Sequence, residues 1–353
     1  MKYYLILLSF LIFVVSCKKE YIINEYYITN EYNEYITRID SVYIARYYSY
    51  ILAQQNEITT SILPPYLQAG DSVGIFATSN AVFQQDMQNG IDILKSWGLK
   101  VREADNLYDT NGRYAGTLPQ RIDGLQNLIN DPNLKAIIAA RGGYGCDQLL
   151  PYVNLKPLQN SPKWVVGYSD VTVLHVALNN LGIQSIHGAM VNFFSDSTSV
   201  SELKKALFGE YPEMSIETNE NCIQGTAEGR LVGGNLTTFY ALGGTFWDLN
   251  VKGAILFFED TGEANYNVNR MLTNLKFSGK LDAVKGIIVG QFTDMTQGID
   301  KPIADVIRDN VGDLGIPVMY GAQTGHGIPN LPLYFGRNVK LNVANDRSTI
   351  SFE

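Results

Sequence analysis

The sequence runs to 353 residues, a length that suggests two domains rather than one at about 150 residues each. Apolar residues make up 46% and charged residues 18%, which excludes wholesale disorder and a charged coiled coil. Lys+Arg 27 against Asp+Glu 35 leaves a net charge of −8, so the cation excess needed to grip a nucleic-acid backbone is missing. The three cysteines, Cys17, Cys146 and Cys222, are too few for a disulfide framework and too scattered for a zinc site.

In chain order, Met1-Lys2 is followed by a mostly apolar run over residues 4–15. As a helix this run spans about 18 Å, short of a bilayer core of about 30 Å, and so reads as a signal-peptide core. It ends in Val14-Val15-Ser16-Cys17, which resembles the lipobox of bacterial lipoprotein signals. That resemblance implies cleavage before Cys17 and acylation of the new terminus, with several chains anchoring at about 0.8 kcal/mol per buried CH2. Residues 18–62 lack glycine and are dense in tyrosine, and Asn24-Glu25-Tyr26-Tyr27-Ile28-Thr29 is echoed by Asn33-Glu34-Tyr35-Ile36-Thr37. A tether is the preferred reading of this stretch, with a short amphipathic helix or a strand pair as alternatives.

From Leu63 strands and helices alternate. Strands are predicted at 72–77, 99–101, 135–140 and 164–167, and helical spacing at 87–97, 123–128 and 171–181. This alternation predicts a parallel sheet with right-handed crossovers, whose ligands bind beyond the carboxyl ends of the strands. Arg141-Gly142-Gly143 and Tyr168-Ser169-Asp170 both fall at such ends. After a polar stretch over 196–228, further strands are predicted at 254–258, 286–290, 317–321, 339–343 and 348–352, with helices at 266–275 and 304–311. These form a smaller, strand-rich second domain.

Three constellations can carry chemistry. A serine on a strand-to-helix turn, as in Gly167-Tyr168-Ser169-Asp170, can be lifted clear of the sheet beside helix N–H groups; equally, Ser169 or Asp170 can be an N-cap. Of the histidines, His175 lies on an apolar helix face and His187 reads as scaffold, whereas His326 sits in a glycine-flanked loop after a strand and is the best base. Glu259 ends the apolar run Ile255-Leu256-Phe257-Phe258 and needs a partner if buried, either an imidazole or an arginine such as Arg270.

Six motifs stand in register: Ala140-Arg141-Gly142-Gly143-Tyr144-Gly145, Val166-Gly167-Tyr168-Ser169-Asp170, Ile186-His187-Gly188, Gly233-Gly234-Asn235-Leu236, Leu256-Phe257-Phe258-Glu259-Asp260 and Gly325-His326. In order and spacing they resemble the LD-carboxypeptidases, serine peptidase family S66, which also includes microcin-immunity peptidases. The resemblance covers residues 63–352 and implies an α/β N-terminal domain, a β-rich C-terminal domain and a frequent homodimer. It implies a catalytic Ser169, Glu259 and His326, with the N–H groups of Asp170 and Gly143 as oxyanion hole and no metal or other cofactor. Arg141 and Asn235 are candidates for substrate contact, Arg141 as partner of a free carboxylate. The segment after the histidine departs from the family pattern at Leu333-Tyr334-Phe335-Gly336, which touches substrate detail rather than the triad.

The expected organisation is a signal peptide (1–16), a tether (17–62), an α/β nucleophile domain (63–195), a linker (196–228) and a β-rich domain (229–353) carrying Glu259 and His326. The expected activity is removal of a terminal D-Ala from murein tetrapeptides by a lipoprotein of the bacterial cell envelope. The alternatives are an immunity-type peptidase acting on peptide–nucleotide amides, or a non-catalytic binder of wall peptides.

Overall fold

Strands β1 (Ser72–Phe76), β2 (Lys100–Glu103), β3 (Leu134–Ala139), β4 (Trp164–Gly167) and β5 (Ser185–His187) build a parallel sheet in the computed structural model, which describes residues 56–210 and 213–353. Cys17, the apolar leader and most of the tyrosine-rich stretch lie outside the described residues. The central strands are apolar on both faces: β4 is buried at all of its positions, as a sheet covered on two sides requires. Helices α1 (Gln84–Ser96), α2 (Leu118–Asn130) and α3 (Thr172–Asn180) supply three of the four crossovers. The start of α2 is set locally by a capping box between Thr117 and Gln120, with Pro119 in the first turn.

Much of the stretch expected as a linker, among its described residues, is helix or strand. Helix α4 (Ser197–Phe208) begins where the Asp196 carboxylate accepts the Ser199 N–H at 2.7 Å, and strand β6 (Glu213–Glu217) follows. The polar composition hides one apolar face: Val200, Leu203, Ala206 and Leu207 are buried, and each large side chain so buried is worth about 1.5–3 kcal/mol. The end of the expected tether is also bound to the body. Ile62 N–H donates to the Gly182 carbonyl at 2.7 Å, and Ser61 Oγ donates to the Gly336 carbonyl at 2.9 Å.

The second sheet holds β7 (Gly225–Asn235), β8 (Ile255–Thr261), β9 (Gly286–Thr293), β10 (Val318–Tyr320), β12 (Asn338–Val343) and β13 (Arg347–Phe352), in the order β10-β9-β8-β7-β12-β13-β6. Strands β7 to β10 pair in parallel, and the β12, β13 and β6 end is antiparallel. Helix α5 (Leu236–Ala241) follows β7, while α6 (Asn265–Phe277) and α7 (Ile303–Val311) lie between β8, β9 and β10. The chain then returns: β11 (Leu333–Phe335) pairs antiparallel with β5 and becomes an edge strand of the first sheet. The loop holding His326 therefore runs from a strand of one sheet to a strand of the other. The α/β class with a parallel N-terminal sheet and a separate β-rich C-terminal sheet is as expected.

Candidate active site

Strand β4 ends at Gly167, Tyr168 is extended, and Ser169 turns back with φ of +60° before a 3-10 turn leads into α3. A residue other than glycine in this region costs about 1–3 kcal/mol and is kept only where its surroundings hold it. The constraint is visible in the neighbouring turn. A Cβ placed on Gly142 would lie 3.0 Å from Ser169 Cβ and 3.3 Å from Ser169 Oγ, so the backbone of the glycine turn passes directly beside the hydroxyl. Gly143 adopts φ of +125° with the Asn80 side chain stacked where its Cβ would stand. Its N–H meets no backbone carbonyl among the described residues. The Asp170 N–H lies in the first turn entering the helix, where amides have no carbonyl one turn behind them.

The buried carboxylate and the imidazole also meet. Glu259 stands near the end of β8 with no exposed surface, and its Oε2 accepts a hydrogen bond from His326 Nδ1 at 2.7 Å. Arg270, the other partner considered for Glu259, instead lies over the Tyr266 ring. Burial disfavours the His326 cation. The Glu259 hydrogen bond and charge, reinforced by Asp260 and Asp294, outweigh it and raise the imidazole above its ordinary value. With Nδ1–H committed to the carboxylate, Nε2 is the acceptor nitrogen of the neutral ring. His326 is seated by its loop: Asn330 Oδ1 accepts the Gly325 N–H at 3.0 Å, and Gln291 Oε1 accepts the Gly327 N–H at 2.8 Å. Gly325 has φ of +134°, and a Cβ there would fall 2.8 Å from Glu259 Oε2.

The Ser169 loop and the His326 loop touch through Tyr168, whose ring packs edge-on against His326 with centroids 4.9 Å apart. Ser169 Oγ and His326 Nε2 are not hydrogen-bonded to each other. Arg141 is exposed on the glycine turn and makes no hydrogen bond or ion pair among the described residues. Asn235 has a different place from the one expected. It is buried, its Oδ1 accepts Thr238 N–H at 3.0 Å as the N-cap of α5, and its Nδ2 donates to Asp260 Oδ1 at 2.9 Å. A side chain so engaged positions the β8 end.

The other histidines are structural. His175 bonds Ser185 Oγ and the Gly167 carbonyl, each at 2.9 Å, and burial pulls its imidazole down to about 4. His187 is fully buried among the Tyr168, Phe257 and Phe335 rings with both ring nitrogens unpartnered, and burial lowers its basicity well below normal. Asp260, beside Glu259, is pushed up to about 6 by burial and then by the Glu259 charge. Tyr168 and Asp260 stood in the motifs without an assigned role, and Gln291 was not singled out from the sequence. For Gln291 only its position near a strand end could have drawn notice.

The sequence pattern of the LD-carboxypeptidase N-terminal domain matches residues 73–188, and that of the C-terminal domain matches residues 228–341. A murein tetrapeptide carboxypeptidase of Pseudomonas aeruginosa is 32% identical over 290 residues, covering 76% of this chain and 92% of that protein. The chain belongs to the LD-carboxypeptidase family, peptidase family S66. A Synechocystis protein carrying a carboxypeptidase name is 36% identical to this LD-carboxypeptidase family member over 295 residues, 82% of this chain and 96% of the relative. The crystal structure of a muramoyltetrapeptide carboxypeptidase from Oxalobacter formigenes superposes with a TM-score of 0.73 at 28% identity, covering 80% of this chain and 98% of that one. As a member of S66 the chain is a serine-type carboxypeptidase, a hydrolase.

Proposed function

We propose that this LD-carboxypeptidase family member removes the C-terminal D-amino acid from murein tetrapeptides through Ser169, Glu259 and His326. The observation carrying the proposal is the fully buried Glu259 whose one side-chain hydrogen bond among the described residues is to His326 Nδ1, packed through Tyr168 against the loop of a strained serine. An imidazole held in this tautomer is a base at Nε2. His326 takes the Ser169 proton as Oγ attacks the carbonyl preceding the terminal residue. The N–H groups of Asp170 and Gly143 receive the developing oxyanion, a donor of this kind being worth about 3–4 kcal/mol. His326 then protonates the departing amine, and water, deprotonated by the same imidazole, hydrolyses the acyl-enzyme. Arg141 pairs with the free carboxylate that distinguishes a carboxypeptidase substrate.

The test is incubation of the protein with murein tetrapeptide beside Ser169→Ala. Release of D-Ala by the parent alone supports the reading, and equal release by both removes Ser169 from the mechanism. Cleavage of an aminoacyl-nucleotide amide in place of the tetrapeptide replaces murein as substrate with that of the immunity-type peptidases. We further propose that Cys17 is lipidated and anchors the enzyme outside the cytoplasm, and that the enzyme works as a homodimer. Labelled lipid entering the parent but not Cys17→Ala tests the anchor, and sedimentation of the purified protein tests the dimer.

A further inference from the structure

Two oxyanion donors on different loops need a fixed separation, and nothing in the covalent chain between Gly143 and Asp170 supplies it. The side chain of Asp170 does. A carboxylate in the first turn of a helix ordinarily caps its own helix amides. Asp170 reaches away from its helix: Oδ2 accepts Ser79 Oγ at 2.5 Å and the Cys146 N–H at 2.9 Å. Ser79 lies in the loop after β1, Cys146 closes the glycine turn after β3, and Asp170 itself follows β4. These are three adjacent strands of one sheet, so one buried oxygen ties together the loops at their carboxyl ends. Arg121 of α2 fastens two of these loops, those after β1 and β3, its Nη1 donating to the Thr78 carbonyl at 2.8 Å and the Gly145 carbonyl at 2.9 Å. Both side chains are buried, Asp170 at 6% and Arg121 at 2% exposure.

We propose that the Asp170 carboxylate, through Ser79 and Cys146 and backed by Arg121, is a positioning brace that sets the Gly143 and Asp170 N–H groups at the spacing an oxyanion requires. The inference rests on the serine-peptidase reading above and adds to it a role for a side chain the reaction does not consume. A brace of this kind acts on the transition state and leaves ground-state substrate binding alone, because the oxyanion forms only as Ser169 attacks. An amide at position 170 can accept both hydrogen bonds through its one oxygen, whereas alanine accepts neither.

The experiment compares Asp170→Ala, Asp170→Asn and Ser79→Ala in the whole protein. D-Ala release from the tetrapeptide should show kcat down about 10- to 100-fold in Asp170→Ala and Ser79→Ala, with KM within about threefold. Asp170→Asn should recover at least tenfold over Asp170→Ala. A small fluorophosphonate, which needs the oxyanion hole but no murein specificity, should phosphonylate Ser169 more slowly by the same factors. A parent that takes the label but releases no D-Ala fails the substrate reading while the label rates still decide the brace. Labelling rates unchanged in Ser79→Ala, or equal in the two Asp170 variants, overturn the proposal. So does a rise in KM that accounts for the whole loss. If Asp170→Ala does not fold, Ser79→Ala and Asp170→Asn carry the comparison.

Discussion

Replacing Glu259 by glutamine changes one oxygen for an NH2 group and little else in volume, at a position with no exposed surface. The carboxylate can only accept, so it compels His326 Nδ1 to carry the proton across their 2.7 Å contact and leaves Nε2 as base. The amide can turn and donate to Nδ1, which moves the ring proton to Nε2, where it blocks proton uptake from Ser169. A fall in kcat of about 10³- to 10⁴-fold is expected, equivalent to about 4–5.5 kcal/mol at 1.36 kcal/mol per decade. The pH dependence supplies a second readout. In the parent, burial is outweighed by Glu259, and the acidic limb of kcat/KM should lie above the ordinary 6.5 of histidine; in Glu259→Gln it should move down. Stability follows the same linkage. The folded imidazole is raised, so its contribution is complete below pH 6.5 and is lost as pH climbs through the folded value. The advantage of the parent over Glu259→Gln in urea unfolding should therefore shrink with rising pH. D-Ala release across pH 5–9 and urea titrations at matching pH measure both. A loss below tenfold together with an unmoved acidic limb would refute the reasoning.

Ser169→Gly should abolish turnover yet be more stable than Ser169→Ala by about 1 kcal/mol, because only glycine adopts φ of +60° without strain; equal thermal midpoints would remove strain from the account. Gly325→Ala should lower kcat at least tenfold and stability by about 1–3 kcal/mol, since its Cβ would fall 2.8 Å from Glu259 Oε2 at φ of +134°; urea midpoints and D-Ala release check this, and parent-like values would show the loop yielding freely. Arg141→Ala should raise KM about tenfold for a tetrapeptide with a free carboxylate and leave the C-terminally amidated peptide unaffected, at unchanged melting midpoint. Equal effects on the two peptides would take Arg141 out of carboxylate recognition.

The elements read well where the signal is local. The run Trp164-Val165-Val166-Gly167 is a strand over the span expected, because four apolar residues ahead of a turn suit a strand buried on both faces. Strands β5 and β11, three residues each, were not expected as strands: so short a segment carries no period, and its pairing partner lies far away in sequence. Helix α4 was hidden by its polar composition: Ser197, Ser201, the lysines and Glu202 lie on the outer side, while four apolar residues and Ser199 are buried on the other. Within the site, Ser169, Glu259 and His326 stood out through residue type at strand ends. Asn235 stood out for the same reason, but the fold spends its hydrogen bonds on a helix cap and on Asp260.

The sequence by itself determined the alternation of strands and helices, the residues at their carboxyl ends and the set of groups able to carry acyl transfer. These follow from near neighbours, through apolar period and turn chemistry. Tertiary structure decided the rest. It buried Glu259 completely, turned Ser169 into the left-handed region against Gly142, and carried the chain from β10 back to the first sheet so that His326 stands beside Tyr168. Burial and loop spacing are properties of contacts between segments far apart in the chain, 67 residues in the case of Glu259 and His326, and no local pattern encodes them.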